Sequence, residues 1–203
     1  MKLSSIRFVP LALIASLGLL ACQQLPKQMG KGVTVSSGSS LEAHNPSDVV
    51  VAPVILGSEE MVVPARSLRE SVARALVKRR YAPLSLDFVD EAGMMSSDGV
   101  TEASYRAGTL NEEVVCQVIV HSWKQNLWDS RRALVMDVEV QMIDPANPMG
   151  QPLWSGRLDG RMDFASQEPE YASEGTFFRA ALDQLAAEIM SVMPAHRTQP
   201  STR

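Results

Sequence analysis

Hydrophobic residues recur along this chain in three rhythms. One is an apolar run over 8–20, one repeats every three to four residues, and one alternates strictly with polar residues. The helical rhythm comes first after Pro64, where Leu68, Val72, Ala75 and Leu76 fall at i, i+4, i+7 and i+8 and Arg66, Arg69 and Arg74 lie elsewhere on the surface. It returns at Phe178, Ala181, Leu182, Leu185, Ile189 and Val192, ahead of a stop at Pro194. Period-two patterning predicts strands over 114–123, 134–142 and 154–164, each with one buried and one wet face. Asp144-Pro145-Ala146-Asn147-Pro148-Met149-Gly150 has turn chemistry and makes the last two an antiparallel hairpin. The β-branched run over 48–55 predicts a strand whose Pro53 marks an edge or an end. Leu84, Leu86 and Phe88 alternate with Ser85 and Asp87, which predicts a second, parallel strand over 81–89 reached by a helical crossover. The stretch 90–111 is polar and glycine-punctuated, with a short helix expected over 101–107. Two helices and about five strands give a two-layer α+β sandwich, a mixed sheet with helices on one face.

The apolar run has a different meaning. Lys2 and Arg7 precede it, thirteen residues are too few to span a bilayer, and Ala21 is the small residue that a signal peptidase requires. The stretch Leu19-Leu20-Ala21-Cys22 resembles the lipobox of bacterial lipoproteins, which implies that Cys22 becomes the acylated first residue of the mature chain. Gln23 stands where that resemblance would put an inner-membrane retention Asp, so the expected location is the periplasmic face of the outer membrane. The organisation that follows is a signal peptide over 1–21, a Gly- and Ser-rich flexible tether over 22–47, a periplasmic domain over 48–194 and a disordered tail over 195–203. As a coil, such a tether averages ~27 Å end to end and reaches ~80 Å when stretched.

Composition narrows the chemistry. A net charge of −4 with signs well mixed excludes a nucleic-acid partner. With Cys22 acylated, Cys116 is left alone inside Val114-Val115-Cys116-Gln117-Val118, where it packs as a small hydrophobe. The three histidines, His44, His121 and His196, have no metal-ligand spacing, His121 and Trp123 being placed on one strand face, and no cofactor is implied. Asp87, Asp90 and Glu91 form a compact acidic group without the regular spacing of a calcium loop, and Lys78-Arg79-Arg80 suits a helix C-terminus. No nucleophile elbow, Ser-x-x-Lys, dinucleotide or Walker motif is present. The better candidate is the wet face of the meander, read either as a solubilising face whose ion pairs satisfy one another or as a docking surface whose charges choose a partner. Asp137, Glu139 and Gln141 stand beside Arg157, Asp159, Arg161 and Asp163 on the wet face. At one end of that sheet, Trp123 and Trp128 are expected exposed beside Lys124, Arg131 and Arg132, as anchors for a protein or for lipid headgroups.

The order strand, helix, strand, three-strand meander and final helix, with Val50-Val51-Ala52-Pro53-Val54 and Leu153-Trp154-Ser155-Gly156 as its most quotable steps, resembles a family of proteobacterial outer-membrane lipoproteins. These are distantly similar to the N-terminal domain of the Tol-Pal propeller protein, the penicillin-binding-protein activators and the curli secretion lipoprotein. The resemblance implies a non-enzymatic accessory or assembly protein of the envelope, binding the membrane through its anchor and another envelope protein through its domain. Oligomeric state does not follow from the pattern. Two rival readings remain open: a lipid- or small-ligand-binding transporter auxiliary, for which eleven methionines suit an adaptable pocket, and a hydrolase with an unrecognised site.

Overall fold

The computed structural model describes residues 32–37, 39–96, 105–164 and 173–198; the leader, Cys22 and the start of the tether lie outside them. The elements in chain order are β1 (Thr34–Ser37), α1 (Ser39–His44), β2 (Asp48–Val51), β3 (Ile55–Leu56), α2 (Ala65–Lys78), β4 (Ala82–Pro83), α3 (Leu86–Ser96), β5 (Val114–Lys124), α4 (Trp128–Arg131), β6 (Ala133–Ile143), β7 (Trp154–Asp163) and α5 (Glu174–Met190). One mixed sheet runs β1-β7-β6-β5-β2-β4, with β3 continuing beside β5. The long β5–β6–β7 meander is antiparallel, and β2, β3 and β4 join in parallel pairings.

Alternation explains the meander. Leu134, Met136, Val138, Val140 and Met142 of β6 are all buried, while the residues between them are half-buried on the opposite face. Leu68, Val72 and Leu76 of α2 and Leu182, Leu185 and Ile189 of α5 close over the buried face. Cys116 packs there opposite Met142, and burial pushes its thiol up to about 12, so it is an unreactive core residue as expected. Trp154 is wholly buried on the same face, two residues from Gly156. Its indole lies over that glycine, leaving an added Cβ only 2.6 Å from the ring. The Trp-Ser-Gly step is therefore a packing device: the missing side chain is the space the indole fills.

Four expectations change. The tether is shorter than its composition implies. β1 pairs with β7, and Leu41 of α1 is fully buried, its N–H donating to the Leu153 carbonyl at 3.1 Å. Few apolar residues mark this stretch, but Leu41 inserts into the common core and the sheet edge supplies the backbone partners. The tail is likewise pinned over 195–198: His196 N–H donates to the Arg79 carbonyl at 3.0 Å and Arg197 N–H to Asn45 Oδ1 at 2.8 Å.

The strand expected over 81–89 is only the two-residue β4, after which α3 begins. Leu86 and Val89, three residues apart, share a helical face but would lie on opposite faces of a strand, and helix formation buries Val89 and leaves Phe88 half-exposed. Pro83 offers no N–H to extend a ladder. Of the helix expected over 101–107, residues 101–104 lie outside the described residues and 107–110 form a turn.

The fourth change concerns layering. α2 and α5 cover one face, giving the two-layer sandwich, but Val50, Ala52 and Val115 on the other face are also buried, as is Val89 of α3, which contacts β2. The sheet has seven strands rather than about five because β1 is added and the first strand is split into β2 and β3. The split is a bulge. Val51 pairs with Cys116 and Ile55 with Ile119, so three residues centred on Pro53 oppose two on β5.

Two substitutions test this packing. Leu41→Ala should cost about 2–5 kcal/mol in urea unfolding, because it empties a closed site although it lies before the predicted domain start, whereas Val62→Ala at an exposed position should change little. Gly156→Ala should cost about 1–3 kcal/mol, read as a lower urea midpoint with an unchanged slope, since the Trp154 indole has no vacant space to enter.

Candidate functional site

The wet face of the meander carries a side-chain network. Glu139 pairs with Arg157 in the strand register, and Asp137 lies directly opposite Asp159. Like charges in register repel, and Arg157 relieves this by reaching diagonally to Asp137 in a fork, Nε to Oδ1 at 2.7 Å and Nη2 to Oδ2 at 2.5 Å. Glu139 accepts from Gln141 at 2.9 Å and meets His121 Nε2 at 3.2 Å. Arg161 binds Asp163 two residues along its own strand. The Arg157 fork holds the Asp137 carboxyl below the usual carboxylate range, against the opposing cost of its burial. The expected charged face is present, and its ion pairs are closed within the chain.

The tryptophan end differs from expectation. Trp123 and Trp128 are 8% and 2% exposed, so neither is a surface anchor. A register shift between Val120 and Ser122 turns Trp123 into the core and leaves His121 outside, so the two do not share a face. Trp128 plugs the end of the sandwich, edge-on to Phe178 at 4.7 Å and close to Phe177 and Phe164 at 5.4 and 6.1 Å between ring centroids. Arg132 lies over Trp128 and Phe177 and binds Glu174 at 3.0 Å. Of the residues expected to meet a partner, Arg131, Arg157 and Arg161 remain accessible.

The acidic group on α3 also has a structural partner. Arg66 Nη2 donates to Asp87 at 2.8 Å, and Arg69 Nη1 donates to Asp90. Arg79, read as closing its own helix, donates from Nε to the Met190 carbonyl at the end of α5, at 2.8 Å. Among the described residues, no three His, Cys, Asp or Glu converge as a metal site, and no helix is long and apolar enough to cross a membrane.

Sequence reasoning missed a cavity of about 610 Å³ at the Pro53 bulge. Its walls are the 52–56 segment, the first turn of α2, Asp90 of α3, Tyr105 and Gln117. Arg69 is 6% exposed and stands in for a strand. Leu84 N–H donates to the Val49 carbonyl at 2.9 Å, β4 ends, and Arg69 Nε donates to the Val51 carbonyl at the same distance. Its Nη2 is enclosed and has no hydrogen-bond partner. Burial, and then the Glu112 carboxylate as hydrogen-bond acceptor, raises the Tyr105 phenol far above its ordinary value. The signal available in sequence was Arg66 and Arg69 spaced i, i+3 against Asp87 and Asp90 at the same spacing, which points to paired helices only once 86–96 is read as helical.

With this geometry in place, likeness to known proteins can be weighed. No protein-family model and no curated protein sequence matches the chain. Among solved structures, the PelC dodecamer from Paraburkholderia phytofirmans is similar at 17% identity and a TM-score of 0.50, over 80% of this chain and 97% of that one. Lipoprotein GNA1162 from Neisseria meningitidis aligns at 19% identity and 0.46, over 70% and 97%. The LpoB C-terminal domain from Salmonella enterica aligns at 16% and 0.40, over 58% and 83%. The chain thus has the α+β sandwich fold seen in PelC, and at such identities the likeness is one of architecture.

The Asp137–Arg157 fork sets a pH dependence. A carboxyl with a depressed folded pKa adds stability that is complete above its ordinary unfolded value of about 3.9 and is lost as pH falls through the lower folded one. Asp137→Asn should therefore destabilise by about 1 kcal/mol at pH 7, and the gap from the parent should close below about pH 4 in thermal melts.

Proposed function

We propose that the chain is a bacterial envelope lipoprotein, acylated on Cys22 at the periplasmic face of the outer membrane, which acts without catalysis as an accessory or assembly protein. The observation that carries this reading is the order Lys2 and Arg7, apolar run, Ala21, Cys22 at the head of the chain. A lipobox cysteine supplies more than one acyl chain, and stable anchoring requires more than one. The fold likeness to PelC, described as a dodecamer, supports an assembly role.

On this reading the anchor is close to the domain. β1 begins at Thr34, so twelve peptide steps separate it from Cys22. Fully extended, they span at most about 43 Å, half the reach expected of the longer tether. β1 runs antiparallel to β7 with Thr34 beside Arg157, so the chain enters along the sheet edge beside the charged face. A partner recognised there is one that lies close to the membrane. Arg131, Arg157 and Arg161 are the side chains it meets, and Trp123 and Trp128 support the surface from within.

Acylation is tested directly in growing cells. The parent should incorporate a fatty-acid analogue and sediment with outer membranes, and Cys22→Ser should do neither. Equal labelling and equal fractionation of the two, or an unmodified mature N-terminus in intact-mass measurement, would rule out the anchor.

A further inference from the structure

We propose that the outer edge of β7 pairs with the same edge of a second copy of this chain, joining two sheets across a two-fold axis at Met162. This reading does not depend on the lipid anchor. β6 runs beside β7 over its full length, from Trp154 to Asp163, whereas β1 covers only Ser155 to Arg157 on the other side. Among the described residues, no strand lies against that side over 158–163. The backbone there is disposed to pair. The Phe164 N–H donates to the Arg132 carbonyl in the same unbroken register, so alternate residues turn their peptide groups to β6 while Asp159, Arg161 and Asp163 turn theirs outward. Native edges are commonly blunted by proline, lysine, a bulge or other charges. This stretch has no proline, lysine or bulge, and its one device is a row of charges of alternating sign.

Those charges choose the occupant. Arg157, Asp159, Arg161 and Asp163 share the wet face, and antiparallel pairing sets residues of one face directly opposite each other. A two-fold axis at Met162 brings Arg161 against the partner's Asp163, and Asp163 against the partner's Arg161. Each arginine thereby exchanges the Asp163 of its own strand, which it binds in the single chain, for an equivalent carboxylate. Both pairs turn their peptide groups outward and so form about four backbone hydrogen bonds between them, while the two half-buried Met162 side chains meet on the apolar face. Other registers fail. An axis at Arg161 opposes like charges, Arg161 to Arg161 and Asp159 to Asp163. An axis at Gly160 puts the partner's Asp163 opposite Arg157, where Thr34 already sits. An axis between two residues sets wet positions against apolar ones. The contact is isologous and closes at two copies.

Sedimentation equilibrium of the full-length chain in density-matched detergent tests this. The parent should show a monomer–dimer equilibrium with a Kd on the order of 10–100 µM, as suits a contact of one short strand pair. Arg161→Asp and Asp163→Arg each oppose like charges beside the axis and should weaken the dimer at least tenfold. An equimolar mixture of these two variants should recover it, because each supplies the charge that the other lacks. The double variant, with both signs exchanged, should dimerise like the parent. Thermal melts check that every variant is folded, which the exposure of Arg161 favours. A parent that stays monomeric throughout that range, as it would with the edge covered by the segment preceding β1, overturns the proposal. So does association that a folded single variant retains undiminished, or failure of the folded pair to dimerise on mixing.

Discussion

Five side chains of β6, from Leu134 to Met142, have to leave water together, because strand geometry puts them all on one face of the same rigid ribbon. Nothing on a single strand can bury them. β5 and β7 extend the apolar face sideways, and α2 and α5 cover it, so that Leu76, Leu182, Leu185 and Ile189 reach zero or near-zero exposure. Each fully buried side chain of this size contributes about 1.5–3 kcal/mol relative to exposure. The helices consequently have little freedom in where they sit. Smaller devices serve the same closure: Gly156 makes room for Trp154, and the Tyr81 hydroxyl, raised to about 12 by its burial, donates to the Pro194 carbonyl at 2.8 Å and ties the end of the chain to α2's exit.

The two ends of the sandwich are closed in different ways. At one, three aromatic rings gather round Trp128 in the α4 turn, and the seal is apolar. At the other, β4 stops after two residues and the sheet edge would stand open at Val51. Arg69 fills that gap with a side-chain donor, which also protects the edge from pairing with a foreign strand. One end is thus closed by an apolar plug and the other by a polar one, whose guanidinium is held by the Val51 carbonyl and Asp90.

The charged face illustrates how an ion-pair network differs from a docking hotspot. Its carboxylates and arginines satisfy one another, with Arg157 placed between Asp137, Glu139 and Asp159. Such a surface is soluble and discriminates by charge, yet it holds no buried aromatic anchor ready for a partner.

Some of this was legible before any coordinates. The alternation in β5, β6 and β7, the stripes of α2 and α5 and the burial of Cys116 are all local patterns, and a local pattern survives whatever the rest of the chain does. What the linear pattern could not supply was the identity of each residue's partner. Leu41 belongs to a segment composed like a tether and is ordered only because Leu153 and the core receive it. Trp128 looked like an exposed anchor because Phe164, Phe177 and Phe178 are distant in sequence. Asp87 and Asp90 read as strand-end acids until Arg66 and Arg69 drew them onto a helix. By itself the sequence determined which faces are apolar, since that depends on spacing alone; only the tertiary structure decided which polar and aromatic groups are enclosed, because enclosure requires atoms from segments far apart along the chain.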